Sequence, residues 1–143
     1  MKAISDYKNY LFRGKRKDNG EWVEGFYCKY PHQFSGFLEP HIFVSSFNAE
    51  KETGSCTAYP VIPETVGQYT GSIDKNRTKI FEGDIVRAIT HLTDIYVGAV
   101  TFENGAFWYK NWSWFKFQFK FEKTEIIGNI YDNPELIGEL KDD

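Results

Sequence analysis

The chain has 143 residues, enough for one core to form without disulfide or metal staples. With 41% hydrophobic and 26% charged residues it is not a disordered polymer. A formal net charge of −3 argues against an obligate polyanion binder, because such affinity rests on Lys and Arg neutralising phosphates.

Aromatic residues make up 18% of the chain, and thirteen Phe, nine Tyr and four Trp tilt it toward pleated structure, where large rings pack well. The two cysteines, Cys28 and Cys56, lack the spacing of a zinc or redox motif and read as small buried apolar side chains. Met1-Lys2-Ala3-Ile4-Ser5-Asp6 has no apolar stretch of a secretory signal. A run of about 18 apolar residues, the minimum for a spanning helix, is also missing. The expected setting is the cytoplasm, with no membrane association.

In chain order, residues 10–30 read as a hairpin turning at Asp18-Asn19-Gly20, with Trp22, Phe26, Cys28 and Tyr30 on one face of the return strand. Residues 31–60 are broken by Pro31, Gly36, Pro40, Gly54 and Pro60. Only His41-Ile42-Phe43-Val44 reads as a short strand there, and Asn48 to Ser55 reads as a loop. Pro63-Glu64-Thr65-Val66 starts either a strand or a helical turn. Gln68-Tyr69-Thr70 is a short strand, Gly71 to Thr78 a polar connection, and Glu82-Gly83-Asp84 a tight turn into the strand Ile85-Val86-Arg87-Ala88-Ile89.

A second hairpin covers 94–110, reversing at Asn104-Gly105. Phe115, Phe117, Phe119 and Phe121 then alternate with Lys116, Gln118 and Lys120, which puts the rings on one side of a strand. Trp112 and Trp114 share the parity of the lysines, so this segment holds either a bulge or two Trp opposite the Phe face. A last strand covers Glu125 to Tyr131. Asn133-Pro134 caps a short helix over Glu135-Leu136-Ile137, which Gly138 ends.

Several segments, in this order, resemble the YopX family: Phe12-Arg13-Gly14, Asn19-Gly20-Glu21-Trp22-Val23-Glu24-Gly25, Gln68-Tyr69-Thr70-Gly71, Asp74-Lys75-Asn76, Ile80-Phe81-Glu82-Gly83-Asp84-Ile85-Val86, and Ile127-Gly128-Asn129-Ile130-Tyr131-Asp132-Asn133-Pro134-Glu135-Leu136. The resemblance implies a protein of phages and prophages of low-GC Gram-positive bacteria, with a complex β-barrel arrangement and no assigned catalytic residues. The chain departs from the family at Arg77, where Gly usually follows the Lys-Asn of the central turn. Arg accepts positive φ poorly, so the positive-φ position is expected to move to Asn76.

Candidate chemistry is sparse. Glu82 and Asp84 flank Gly83 as a paired-carboxylate site would, but read more simply as turn residues. His32, His41 and His91 are far apart and lack ligand spacing, so no metal is expected. No nucleophile motif, GxGxxG or P-loop is present, and no catalytic residue or cofactor is expected. The sharpest constellation is aromatic and basic: Trp108, Tyr109, Lys110, Trp112, Trp114, Lys116 and Lys120. Rings that stack on bases and cations that track a backbone bind single strands of nucleic acid, whereas the same rings also fill cores and subunit interfaces. Glu103, Glu122 and Glu125 dilute the positive potential. Lys15-Arg16-Lys17 at the first turn reads as a solvated tip that discourages strand pairing.

The sequence therefore predicts one mostly β domain over 1–143, built of hairpins in a barrel-like sheet with a short C-terminal helical turn. It acts by protein–protein contact, as a homo-oligomer or with a host or phage protein. The alternative is a single-stranded nucleic-acid-binding module. An enzyme would need Glu82, Asp84 or a His to converge with a second polar group in a pocket.

Overall fold

The computed structural model describes residues 11–31, 34–89, 95–110, 116–117 and 123–138, the side chains of 116, 117 and 138 excepted. These form two compact units, Met1–Gln68 and Tyr69–Asp143. Among the described residues the strands make two antiparallel sheets without a closed barrel, with one short α-helix near the C-terminus, the β-dominated, hairpin-built chain the sequence predicts.

In the first unit β1 (Phe12–Lys15), β2 (Trp22–Pro31), β3 (Leu38–Asn48), β4 (Thr53–Pro60) and the start of β5 (Gly67–Ile73) lie in the order β4-β3-β2-β1-β5. The β1–β2 turn is closed by Arg16 N–H donating to Glu21 O at 2.9 Å and Gly20 N–H to Arg16 O at 3.0 Å, with Gly20 at φ 73. β3 is much longer than the His41–Val44 strand the sequence suggests, and β4 is a strand it does not suggest. Eight consecutive pairs run from His41↔Pro60 to Asn48↔Thr53 without a bulge, so 53–55 is strand rather than loop. Thr, Ser, Val and Phe suit a pleated ribbon, and the Asn48 carboxamide oxygen accepts from the N–H groups of Glu50 and Lys51, each at 3.1 Å, to make the reversal.

Beyond β4 the chain returns to β1. Val61 N–H donates to Pro40 O, Lys17 N–H to Pro60 O and Ile62 N–H to Lys15 O. A 3-10 turn over Pro63–Thr65 follows, which resolves the strand-or-turn alternative in favour of the turn. Its Thr65 hydroxyl donates to Ile62 O at 2.6 Å and accepts Lys15 N–H at 2.9 Å. The core of this unit centres on Ile42 and Val61, both fully buried.

In the second unit the later residues of β5 pair with β6 (Lys79–Phe81). The sheet β10-β9-β8-β7-β11 comprises β7 (Asp84–Ile89), β8 (Ile95–Glu103), β9 (Ala106–Lys110), β10 (Lys116–Phe117) and β11 (Thr124–Asn129), and α1 (Glu135–Gly138) follows. Asn104 and Gly105 both have positive φ, 52° and 78°, which is the mirror-image turn that matches strand twist. Ile80, Val86, Val100 and Tyr109 form the core, with Phe107 and Ile126 packed against it.

The central turn differs from expectation. The positive φ falls on Arg77 itself, at 65°, and not on Asn76. The reason is Asp74. Its buried carboxylate accepts from the N–H groups of Asn76 (2.8 Å) and Thr78 (2.9 Å), and Asp74 O accepts Arg77 N–H at 3.0 Å, which fixes the path through Arg77.

Candidate functional site

The aromatic–basic constellation divides by strand parity. Tyr109 is 4% exposed and belongs to the core, directly across from Val100. Trp108 and Lys110 occupy the opposite pleat of β9. The Trp108 ring N–H donates to Glu103 O at 3.0 Å, and Lys110 Nζ lies 3.6 Å from a Glu103 carboxylate oxygen. Glu103 thus anchors one residue and pairs with the other. Lys116 of β10 stands in register across from Lys110. Trp112, Trp114 and Lys120 lie outside the described residues, as do Phe115, Phe119 and Phe121 and the question of a bulge near Trp114.

The other polar candidates have local tasks. Asp84 is 2% exposed and its Oδ2 accepts Phe81 N–H at 2.8 Å. Gly83, at φ 93, donates its N–H to Val100 O and receives Ile130 N–H on its carbonyl. The Glu82-Gly83-Asp84 segment is therefore the turn the sequence suggests. A Cβ at position 83 would stand 3.0 Å from the Tyr131 ring. His41 is buried with Nδ1 2.7 Å from Glu39 O, while His32 and His91 lie outside the described residues.

Glu125 is a charge node. Its Oε2 accepts from Arg87 at 2.6 Å and lies 3.3 Å from Lys75 Nζ, and these two cations hold its carboxyl below the usual glutamate range. The basic tip is likewise neutralised. Arg16 is hydrogen-bonded to Asp18, which lowers the Asp18 carboxyl below its usual range, and its guanidinium lies 4.3 Å from the centre of the Tyr59 ring. Lys17 is 3.4 Å from Glu39.

The most unusual surface is one that sequence reasoning passed over. In the β2–β3–β4 ribbon, directly paired residues share a face. Ile42 with Tyr27 and Tyr59 defines the inner face. The outer face should be polar in a sheet packed on one side. Instead it carries Phe26, Tyr30, Phe43 and Phe47, and Phe26, Tyr30 and Phe47 are 47%, 52% and 71% exposed. Tyr30 meets Phe43 and His41 edge-on, with ring centroids 5.9 and 5.6 Å away. Phe34, Phe37 and Leu38 add exposed apolar area where β2 passes to β3.

Cys28 and Cys56 sit on this same outer face, exposed and unbridged, which corrects the expectation of buried thiols. Among the described residues this face is open at Phe26, Cys28, Tyr30, Phe47 and Cys56, while His41 on the same face is buried. A legible signal was the alternation Phe43, Ser45, Phe47 in β3. It was masked because Pro40 and Gly54 read as breakers.

Fold and surface together define an antiparallel β chain that exposes an aromatic ribbon face among its described residues. The chain belongs to the YopX family: the family model described as YopX protein matches residues 11–138, across both units. Among solved structures it is similar to protein EF1440 from Enterococcus faecalis, at 21% identity and a TM-score of 0.54, over 88% of this chain and 96% of that one; the likeness is one of fold. No curated protein matches the sequence. No helix among the described residues is long and apolar enough to cross a membrane.

Proposed function

We propose that this protein is a phage or prophage accessory factor that works by protein–protein contact in the host cytoplasm, and that it self-associates. The observation that carries this reading is the outer face of the β2–β3–β4 ribbon, where aromatic rings occupy positions that a monomeric sheet gives to polar residues. Contiguous exposed apolar area of this kind marks contact surfaces. The test is the double substitution Phe26→Ser and Phe47→Ser. Both residues are exposed, Phe47 more than Phe26, so the thermal midpoint stays close to that of the parent while self-association weakens. An unchanged association would overturn the reading.

A second reading has one observation in its favour. Trp108 and Lys110 share a pleat, and Lys116 stands in register beside Lys110, an arrangement suited to a single-stranded nucleic acid. Short oligonucleotides would then quench tryptophan fluorescence at low salt and lose that effect steeply as salt rises. No quenching at low salt ends this alternative.

A further inference from the structure

The contact surface has an edge, and the hydrogen-bond pattern shows which atoms it offers. In an antiparallel ladder, paired residues alternate between those that exchange backbone hydrogen bonds and those that do not. Val61 N–H donates to Pro40 O, in the same register as His41↔Pro60, so 40/61 is a bonded pair. Counting back by twos, Tyr59, Thr57, Ser55 and Thr53 face β3. Gly54, Cys56, Ala58 and Pro60 therefore turn their backbone groups away from it. Pro60 confirms the alternation, because its carbonyl accepts Lys17 N–H on that outer side. Gly54, Cys56 and Ala58 have no neighbour there among the described residues, since β4 is the terminal strand of its sheet.

Protected edges carry lysines, prolines or bulges. The open part of β4 has none of these. Thr53 to Tyr59 contains no charged residue and pairs with β3 without interruption. We infer that two copies of this chain join edge to edge through β4, antiparallel about a two-fold axis at Cys56. The inference rests on the self-association proposed above and adds to it the β4 strand edge that borders the aromatic face.

Self-pairing is favoured over another extended segment by register. Only one register uses all three outward residues of both copies: Gly54 with Ala58, Cys56 with Cys56, Ala58 with Gly54. It forms three bonded pairs, whereas a shift of two residues forms fewer. It brings Phe47 of each copy, which pairs with Gly54 of its own chain, toward Ala58 of the other across a row of small residues.

Cys56 makes the arrangement measurable. Opposed residues of a bonded pair have Cα atoms about 5.5 Å apart, within the range a disulfide spans. With diamide as oxidant, the wild type and Cys28→Ser are expected to give a covalent dimer on a non-reducing gel, and Cys56→Ser is not. Ala58→Pro removes one outward N–H per copy and leaves the β3–β4 bonds intact. It is expected to weaken association by about tenfold or more with its circular dichroism unchanged. Association that persists in Ala58→Pro, or a dimer that forms through Cys28 alone, would overturn the edge-to-edge arrangement while leaving self-association standing. A single-chain mass at every concentration would overturn both.

Discussion

Asp74 and Ile126 are joined by a hydrogen bond from the Ile126 N–H to Asp74 Oδ2 at 3.1 Å, which ties the central turn of the second unit to β11. The other carboxylate oxygen, Oδ1, accepts from Asn76 and Thr78, so one buried side chain satisfies three backbone donors. Lys75 N–H reinforces the link by donating to Thr124 O at 2.9 Å.

Asp74→Ala removes the common acceptor of those three N–H groups. The expected loss of stability is about 3 kcal/mol, in the range for charged hydrogen bonds removed from a buried site. The fall in the urea midpoint measures it. A loss within experimental error would mean that water reaches the turn and that Asp74 is not its organiser.

Arg77 holds a left-handed conformation that L side chains adopt at a cost. Arg77→Gly is expected to stabilise the protein by about 0.5–1 kcal/mol, the relief of strain exceeding the entropy glycine adds to the unfolded chain. Differential scanning calorimetry should show a higher midpoint. A lower midpoint would place the strain elsewhere.

Gly25 has no room for a methyl group, since a Cβ there would stand 2.1 Å from Phe43 O, a backbone atom of the neighbouring strand. Gly25→Ala is expected to cost about 3 kcal/mol and to disturb the β2–β3 ladder. Faster amide exchange along β2 and β3, relative to β7 and β8, would locate the damage. Uniform exchange would show that the strand shifts to absorb the methyl.

Glu125 sets a pH dependence. Its folded-state carboxyl is held below the unfolded value, first by the hydrogen bond from Arg87 and then by that from Lys75. The stabilisation is fully present above the unfolded carboxyl pKa of about 4.3 and is lost as pH falls through the lower folded value. The parent should therefore lose more stability between neutral and acid pH than Glu125→Gln. Parallel pH profiles for the two would contradict the assignment.

The sequence makes the second unit readable because its instructions are local. Asn104-Gly105 specifies a two-residue reversal whatever lies around it, and Gly83-Asp84 carries its own turn bonds. The family was legible for a related reason, since its marks are turns and strand starts in a fixed order. The first unit was harder to read. β3 and β4 are held by pairing between residues as far apart as His41 and Pro60, and Pro40 and Gly54, harmless inside that ladder, look like breaks in one dimension. Burial was misjudged at Cys28 and Cys56 because alternation reveals two faces and not which of them the rest of the molecule covers. Asp74 was read as part of a polar connection, although an Asp two and four residues before Asn76 and Thr78 is the spacing of a side chain that bonds its own turn.

Sedimentation equilibrium of the full chain, from low to high micromolar concentration, tests the central claim of self-association most directly. The expected result is a mass that rises from 16.7 kDa toward a multiple of it as concentration increases, with the rise diminished in Phe26→Ser/Phe47→Ser. A constant 16.7 kDa across the whole range would contradict the account.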